Sequence, residues 1–333
     1  MKSRFNLLII VFLGFASLVN AQSPKEIQAA VDQAYAEFKS VTEGKNADYI
    51  KELANVDPSI FGIVVVDRQG RVYTSGDVKS QVSIQSVSKA FVLSLVLEES
   101  GYGTIREKVG VNATGLPFNS IIAMEINKDS EINSMVNAGA IATTSLVNGA
   151  TAMAKWENIV QKLSDFAGRK LEIDQQVYIS EAGDNQRNVA KAMLLSAYQK
   201  IYFDPQQSVD VYTKQCALSV NAKDLAIMAS TLASGGINPV TKKRIVSAET
   251  VAYTLPVMAT AGLYENSGAW LYQTGLPAKS GVGGALVAVV PGKFGIAVVS
   301  PPLDEAGNSV KAQLAIKFIV DKLKLNPYLI SSK

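Results

Sequence analysis

The chain has 333 residues, 48% of them hydrophobic and 18% charged with no long run of one sign. That composition can bury a large core and excludes disorder over most of the length. The formal charge is only +3, and Lys2 and Arg4 supply two of the positive charges, so nothing favours nucleic acid, whose binding needs a clustered basic patch. With no histidine and one cysteine, Cys216, the chain can form no internal disulfide and no zinc site built on histidine or several cysteines. Ser-His-Asp and Cys-His catalysis are excluded as well. A hydrolytic base must come from Lys, Tyr, Asp or Glu.

Residues 1–21 open with Lys2 and Arg4, continue as an apolar run from Leu7 to about Leu18, and close on Val19-Asn20-Ala21. This is the pattern of a cleaved secretory signal, with cutting expected between Ala21 and Gln22 and an exported, periplasmic or secreted, mature chain. The run is short for a membrane span, so no stable span is expected after processing. Residues 22–333 read as a single domain. A helix is predicted from Pro24 to Glu43. "FGIVVVDRQGRVYTSGD" predicts two strands turning at Arg68-Gln69-Gly70. The long middle, about 87–255, is helical by pattern and rich in Ala and Leu. "GGALVAVVPGKFGIAVVSPP" predicts a second hairpin turning at Pro291-Gly292-Lys293. A last helix is expected over Asn308 to Leu323, with Val310, Leu314, Ile316, Ile319, Val320 and Leu323 on its apolar positions. Strands at both ends and helices between them predict an α/β fold. The N- and C-terminal segments form one antiparallel sheet flanked by helices (a sheet lobe from about 22–85 and 256–333), with an inserted helical lobe over about 86–255.

Within that frame, "SIQSVSKAFVLSLVLEESG" carries Ser86 and Lys89 at the start of a helix expected to run to Gly101. Residues three apart share a helical face, so Lys89 can reach Ser86 Oγ, and the helix N-terminus favours an alkoxide or oxyanion. A serine needs a base to act as nucleophile, and a buried lysine can be that base near neutral pH. Taken alone, the tetrapeptide reads instead as a helix cap with a solvated lysine. "TGLPAKSGVGGALVAVV" changes the balance. In Ser-Lys acyl enzymes a Lys-Thr/Ser-Gly strand faces the Ser-x-x-Lys helix. Here Lys279-Ser280-Gly281 stands just before a strand, where the lysine would supply positive potential and the glycine a close backbone approach. Two matches in the right order point to a β-lactamase-like or penicillin-binding-like fold.

The segments "SMVNAGAIATTSL" (134–146), "SEAGDNQRN" (180–188), "STLASGGINPVT" (230–241), "GLYENSG" (262–268), "GLPAKSGVGG" (275–284) and "SPPLDEAGNSVK" (300–311) resemble the serine-dependent glutaminase family, from about Tyr49 to the last helix. The resemblance implies hydrolysis of L-glutamine to L-glutamate and ammonia, with no cofactor. Ser86 then matches the nucleophile, Lys89 its activating partner, and Tyr264 the tyrosine that shares proton transfer, its phenol held near deprotonation by neighbouring lysines. The Val282 N–H would pair with that of Ser86 as an oxyanion hole. Glu181 would take the α-ammonium, and Asn137, Asn188 and Tyr212 the carboxylate or amide. Tyr49 matches a residue that closes over the pocket. Members of the family form dimers or tetramers, so a homodimer or homotetramer is expected. Cys216 reads as a small buried apolar residue, since no base is present to activate it. Two other readings compete: a penicillin-recognising serine acylase, and an amino-acid binding protein that kept the fold without the chemistry.

Overall fold

The computed structural model describes residues 22–126 and 131–330; the expected secretory signal lies outside the described residues. The strands are β1 (Gly62–Asp67), β2 (Val72–Gly76), β3 (Val82–Ser83), β4 (Glu172–Ile173), β5 (Leu218–Val220), β6 (Ala278–Gly281), β7 (Ala285–Val290) and β8 (Phe294–Val299). Both predicted hairpins form, and they meet in one antiparallel sheet of order β2-β1-β8-β7-β6. The seam between chain ends is β1 on β8, with Val64 opposite Ala297 and Val66 opposite Gly295. The first hairpin is closed by Asp67, whose Oδ1 accepts from the Gln69 and Arg71 amides at 2.9 and 3.0 Å, while Oδ2 accepts from Arg71 Nε at 2.6 Å.

β1, β7 and β8 are buried at every position, which is why they read as continuous apolar runs rather than alternating ones. Side chains alternate across the sheet, so each strand feeds two cores. Ile63, Val65, Leu286, Ala288, Ile296 and Val298 face α1 (Pro24–Phe38) and the C-terminal helix. Val64, Val66, Val287, Val289, Ala297 and Val299 face the helical side of the molecule. Each fully buried aliphatic side chain contributes about 1.5–3 kcal/mol.

The remaining helices follow in chain order: α2 (Lys51–Ala54), α3 (Ser88–Lys108), α4 (Ala123–Ile126), α5 (Asn137–Leu146), α6 (Ala152–Ala167), α7 (Gln175–Gly183), α8 (Gln186–Ala197), α9 (Pro205–Cys216), α10 (Ala222–Ala233), α11 (Ala248–Ala261), α12 (Ser267–Thr274) and α13 (Val310–Leu323). α10 lies across the sheet; α5, α8 and α9 pack on one another. Among the described residues no helix is long and apolar enough to cross a membrane.

Four expectations need correction. α1 begins at a capping box, Ser23 with Glu26, but ends at Phe38 rather than Glu43, because the chain then turns out so that Lys45 N can bond Leu303 O at 3.1 Å. The last helix starts at Val310, capped by Ser309, and Leu314 lies on its outer side, 36% exposed. The helix after Lys89 kinks at Gly101 (φ 75°) and resumes to Lys108. A second small sheet, β3-β5-β4, has strands too short to leave a pattern in the sequence.

Candidate active site

A cavity of about 610 Å³ opens where the end of β6 meets the helical side. Ser86, Asn137, Glu181, Asn188, Tyr212 and Val282 all line it. Six of the eight residues singled out from the sequence thus face one space. The other two, Lys89 and Tyr264, sit behind Ser86, buried to 1% and 7% exposure.

Ser86 does not open an α-helix. It is the middle residue of a 3-10 turn, Gln85–Val87, that leads into α3 at Ser88. The turn is pinned on both sides: Ile84 N bonds Leu218 O of β5 at 2.8 Å, and Ser88 Oγ donates to Gln85 O at 2.8 Å. Gln85 carries the turn in a left-handed conformation, φ 48°, which costs a non-glycine residue about 1–3 kcal/mol and is held only by its surroundings. Its side chain explains the hold, since Nε2 donates to Ser83 Oγ at 3.1 Å and to Glu181 Oε1 at 2.5 Å.

Lys279-Ser280-Gly281 itself forms most of β6 and stands just before β7, as expected. The segment after it approaches the Ser86 turn so closely that a Cβ on Gly281 would stand 2.9 Å from Ile84 O, and one on Gly283 2.5 Å from Ser83 O. Only glycine fits there, and that contact brings the Val282 backbone alongside Ser86.

Lys89 Nζ donates to Asn137 Oδ1 at 2.6 Å rather than to Ser86. Tyr212 OH donates to the same Asn137 oxygen at 3.3 Å. Burial, with Lys191 adding repulsion, lowers Lys89 to about 7, so the amine is substantially neutral at physiological pH. Lys279 is fully buried, donates to Gly262 O (2.9 Å) and Ser280 O (2.7 Å), and lies 4.4 Å from the Tyr264 ring centroid. Burial and then repulsion by Lys89 push it well below the ordinary lysine range.

Tyr264 is also left-handed, φ 54°. Its hydroxyl donates to Ser280 O at 3.2 Å, and the nearby Ser86 side chain pulls its pKa down. Phe118 covers it, with ring centroids 4.5 Å apart. The expectation of a phenol near deprotonation fails: burial outweighs the Ser86 hydrogen bond and raises its pKa. Tyr264 therefore stays a proton donor.

On the opposite wall Glu181 ends α7, half-buried. Burial raises its carboxyl to about 7, against the pull of the Gln85 hydrogen bond. Asn188 lies in the first turn of α8, and its Oδ1 accepts from Lys191 Nζ at 3.3 Å. Tyr49 lines the mouth while keeping 60% of its surface exposed. Cys216 is buried as expected, and its thiol is pushed up to about 12 by burial and by Glu181, which leaves it without thiolate character.

Sequence reasoning missed Gln85, Phe118 and Lys191. Gln85 looks like a turn residue, Phe118 like core, and Lys191, in "NVAKAMLL", like an exposed helix lysine; its position amid apolar residues is the one signal that could have found it.

A serine at a strained turn, backed by a buried amine and a buried phenol and facing a polar cavity, defines a candidate acyl-transfer site of the Ser-Lys class. The glutaminase family model matches residues 44–328. The glutaminase of Colwellia psychrerythraea (strain 34H) is 52% identical over 92% of this chain and 99% of its own. Among solved structures, "Probable glutaminase ybaS" superposes with a TM-score of 0.91 at 43% identity, covering 92% of this chain and all of that one. Mglu in its glutamate form gives 0.85 at 34% identity, covering 92% and 71%. The chain belongs to the glutaminase family.

Proposed function

We propose that this chain hydrolyses L-glutamine to L-glutamate and ammonia through an acyl-enzyme on Ser86. The observation that carries this reading is the placement of Ser86 on the cavity wall with Lys89 and Tyr264 buried behind it and Glu181 across from it. That the similar Mglu was solved in a glutamate form agrees with a cavity for the product.

In this scheme Glu181 pairs with the α-ammonium, and Asn137, Asn188 and Tyr212 donate to the carboxylate or amide. Asn137 Oδ1 holds Lys89 Nζ in the empty site, leaving Nδ2 to donate to substrate, and the amine turns from Oδ1 toward Ser86 when substrate is bound; catalytic hydrogen bonds commonly tighten only with substrate bound. Neutral Lys89 takes the Ser86 proton as Oγ attacks the amide carbon. The N–H groups of Ser86 and Val282 receive the oxyanion. The Tyr264 phenol protonates the departing nitrogen and is reprotonated from Lys89. Water then attacks the ester as neutral Lys89 takes its proton; Tyr264 returns a proton to Ser86 Oγ as the ester breaks and is again reprotonated from Lys89.

Ammonia release from glutamine and asparagine by the purified chain tests the reaction, with a fluorescent penicillin as the control. Turnover of glutamine without labelling is expected; labelling without ammonia release would mean a penicillin-recognising acylase instead, and neither would mean a binding protein.

The pH dependence has a definite sign. Lys89 acts as base only when deprotonated, above about 7, and Glu181 pairs with an ammonium only when ionised, also above about 7 in the empty site. Both losses fall on the acid side, so kcat/KM should drop on going from pH 8 to pH 6, with a slope between one and two protons. A profile flat across this range would remove Lys89 as the base.

A further inference from the structure

Lys191 is a cation that the scheme above does not use. It lines the cavity from α8, yet its side chain is 1% exposed. Among the described residues no carboxylate lies within ion-pair distance of it, and its one hydrogen bond is the 3.3 Å contact to Asn188 Oδ1. A buried ammonium with so little compensation is costly unless a ligand anion completes it. Burial, reinforced by Arg187, accordingly lowers it to about 8. Its position on the helix adds to the effect. Lys191 stands one turn beyond Asn188 at the start of α8, a 12-residue helix whose N-cap Asn185 makes no side-chain cap bond, so the helix's positive end faces the same corner. Glu181 lies at the end of α7, and two residues, Asp184 and Asn185, separate the two helices. One α7–α8 unit therefore presents an acid and, next to it, a cationic corner, which is the charge pattern of an amino acid's α-centre reversed.

We propose that Lys191 is a specificity residue of this site: its ammonium, with Asn188 and the first turn of α8, receives the substrate's α-carboxylate. The cavity then takes free amino acids and discriminates against glutamine whose carboxyl is amidated or peptide-linked. The proposal rests on the glutamine reading of the cavity but is tested by binding, without turnover.

The test is calorimetric titration of L-glutamine and L-glutaminamide, which carries a neutral carboxamide in place of the carboxylate, into Ser86→Ala and Ser86→Ala/Lys191→Met. Methionine conserves volume in the wall. Loss of a charge-assisted contact should weaken L-glutamine about 10- to 100-fold, while glutaminamide changes less than about threefold on the same argument. Equal losses for the two ligands, or no loss for either, would overturn the assignment. If the methionine variant does not fold, Lys191→Gln is read in the same way, and Lys191→Arg should restore the preference for the free carboxylate. Ammonia release by the wild type is a separate measurement, so failure of the glutamine reading is distinguishable from failure of the Lys191 assignment.

Discussion

Ser86→Ala should lower kcat by about three orders of magnitude or more, and Lys89→Ala by a similar factor, because a nucleophile and its base act as a unit. For the same reason the double variant should be scarcely worse than either single one. The geometry adds a sharper expectation. Lys89 works only as a free amine, and burial is what makes it one. Lys89→Arg keeps length and charge but cannot deprotonate, so it should be as inactive as the alanine variant. Circular dichroism and thermal unfolding separate loss of chemistry from loss of fold; Ser86→Ala removes one hydroxyl from a turn held by Ile84, Gln85 and Ser88, and should unfold at nearly the wild-type temperature. Near-normal turnover in folded Ser86→Ala would end the acyl-enzyme mechanism.

Glu181→Gln should cost about 100-fold in kcat/KM on L-glutamine, in the range found when one partner of a buried charge pair is truncated. The glutamine side chain can still accept from Gln85 Nε2, so the left-handed turn that carries Ser86 keeps its support. What disappears is the negative charge facing the α-ammonium. N-acetylglutamine has no such ammonium and should be a poor substrate for the wild type, yet it should lose little more in the variant. Measuring both substrates on both proteins gives a two-by-two comparison, and equal losses would show that Glu181 does not read the amine. The same pinning explains an expected preference for glutamine over asparagine. With the α-groups held, the side chain sets how far the amide carbon reaches toward Ser86, and asparagine falls one methylene short; a misplacement near 1 Å can cost about 10²-fold.

Much of this was legible in the chain itself. The four apolar strand segments and their turns are local patterns, and covering both faces of the sheet is the only way to bury runs such as Gly62–Asp67 and Ala285–Val290. Ser86 and Lys279-Ser280-Gly281 carry a spacing of their own, the resemblance to the glutaminase family brought Asn137, Glu181, Asn188, Tyr212, Tyr264 and Val282 to the same site, and the lack of histidine limited the possible bases. Other features had no local signature. Strands of two or three residues exist only because β5 offers partners on both sides. The outward side of Leu314 depends on where α1 and the sheet lie against α13.

The protonation states are the clearest division. Lysine and tyrosine at positions 89, 279 and 264 are residue types that the sequence determines, and so is their order along the chain. Whether each carries its charge depends on how much protein surrounds it and which other charges stand near it in space. Folding buries Lys89, Lys279 and Tyr264 together, and desolvation dominates all three: both lysines fall below the ordinary lysine range, Lys279 further repelled by Lys89, and the phenol keeps its proton. Lys191 becomes an uncompensated cation in the cavity wall for the same reason, since its neighbours across that space come from distant parts of the chain and only tertiary packing excludes water from it.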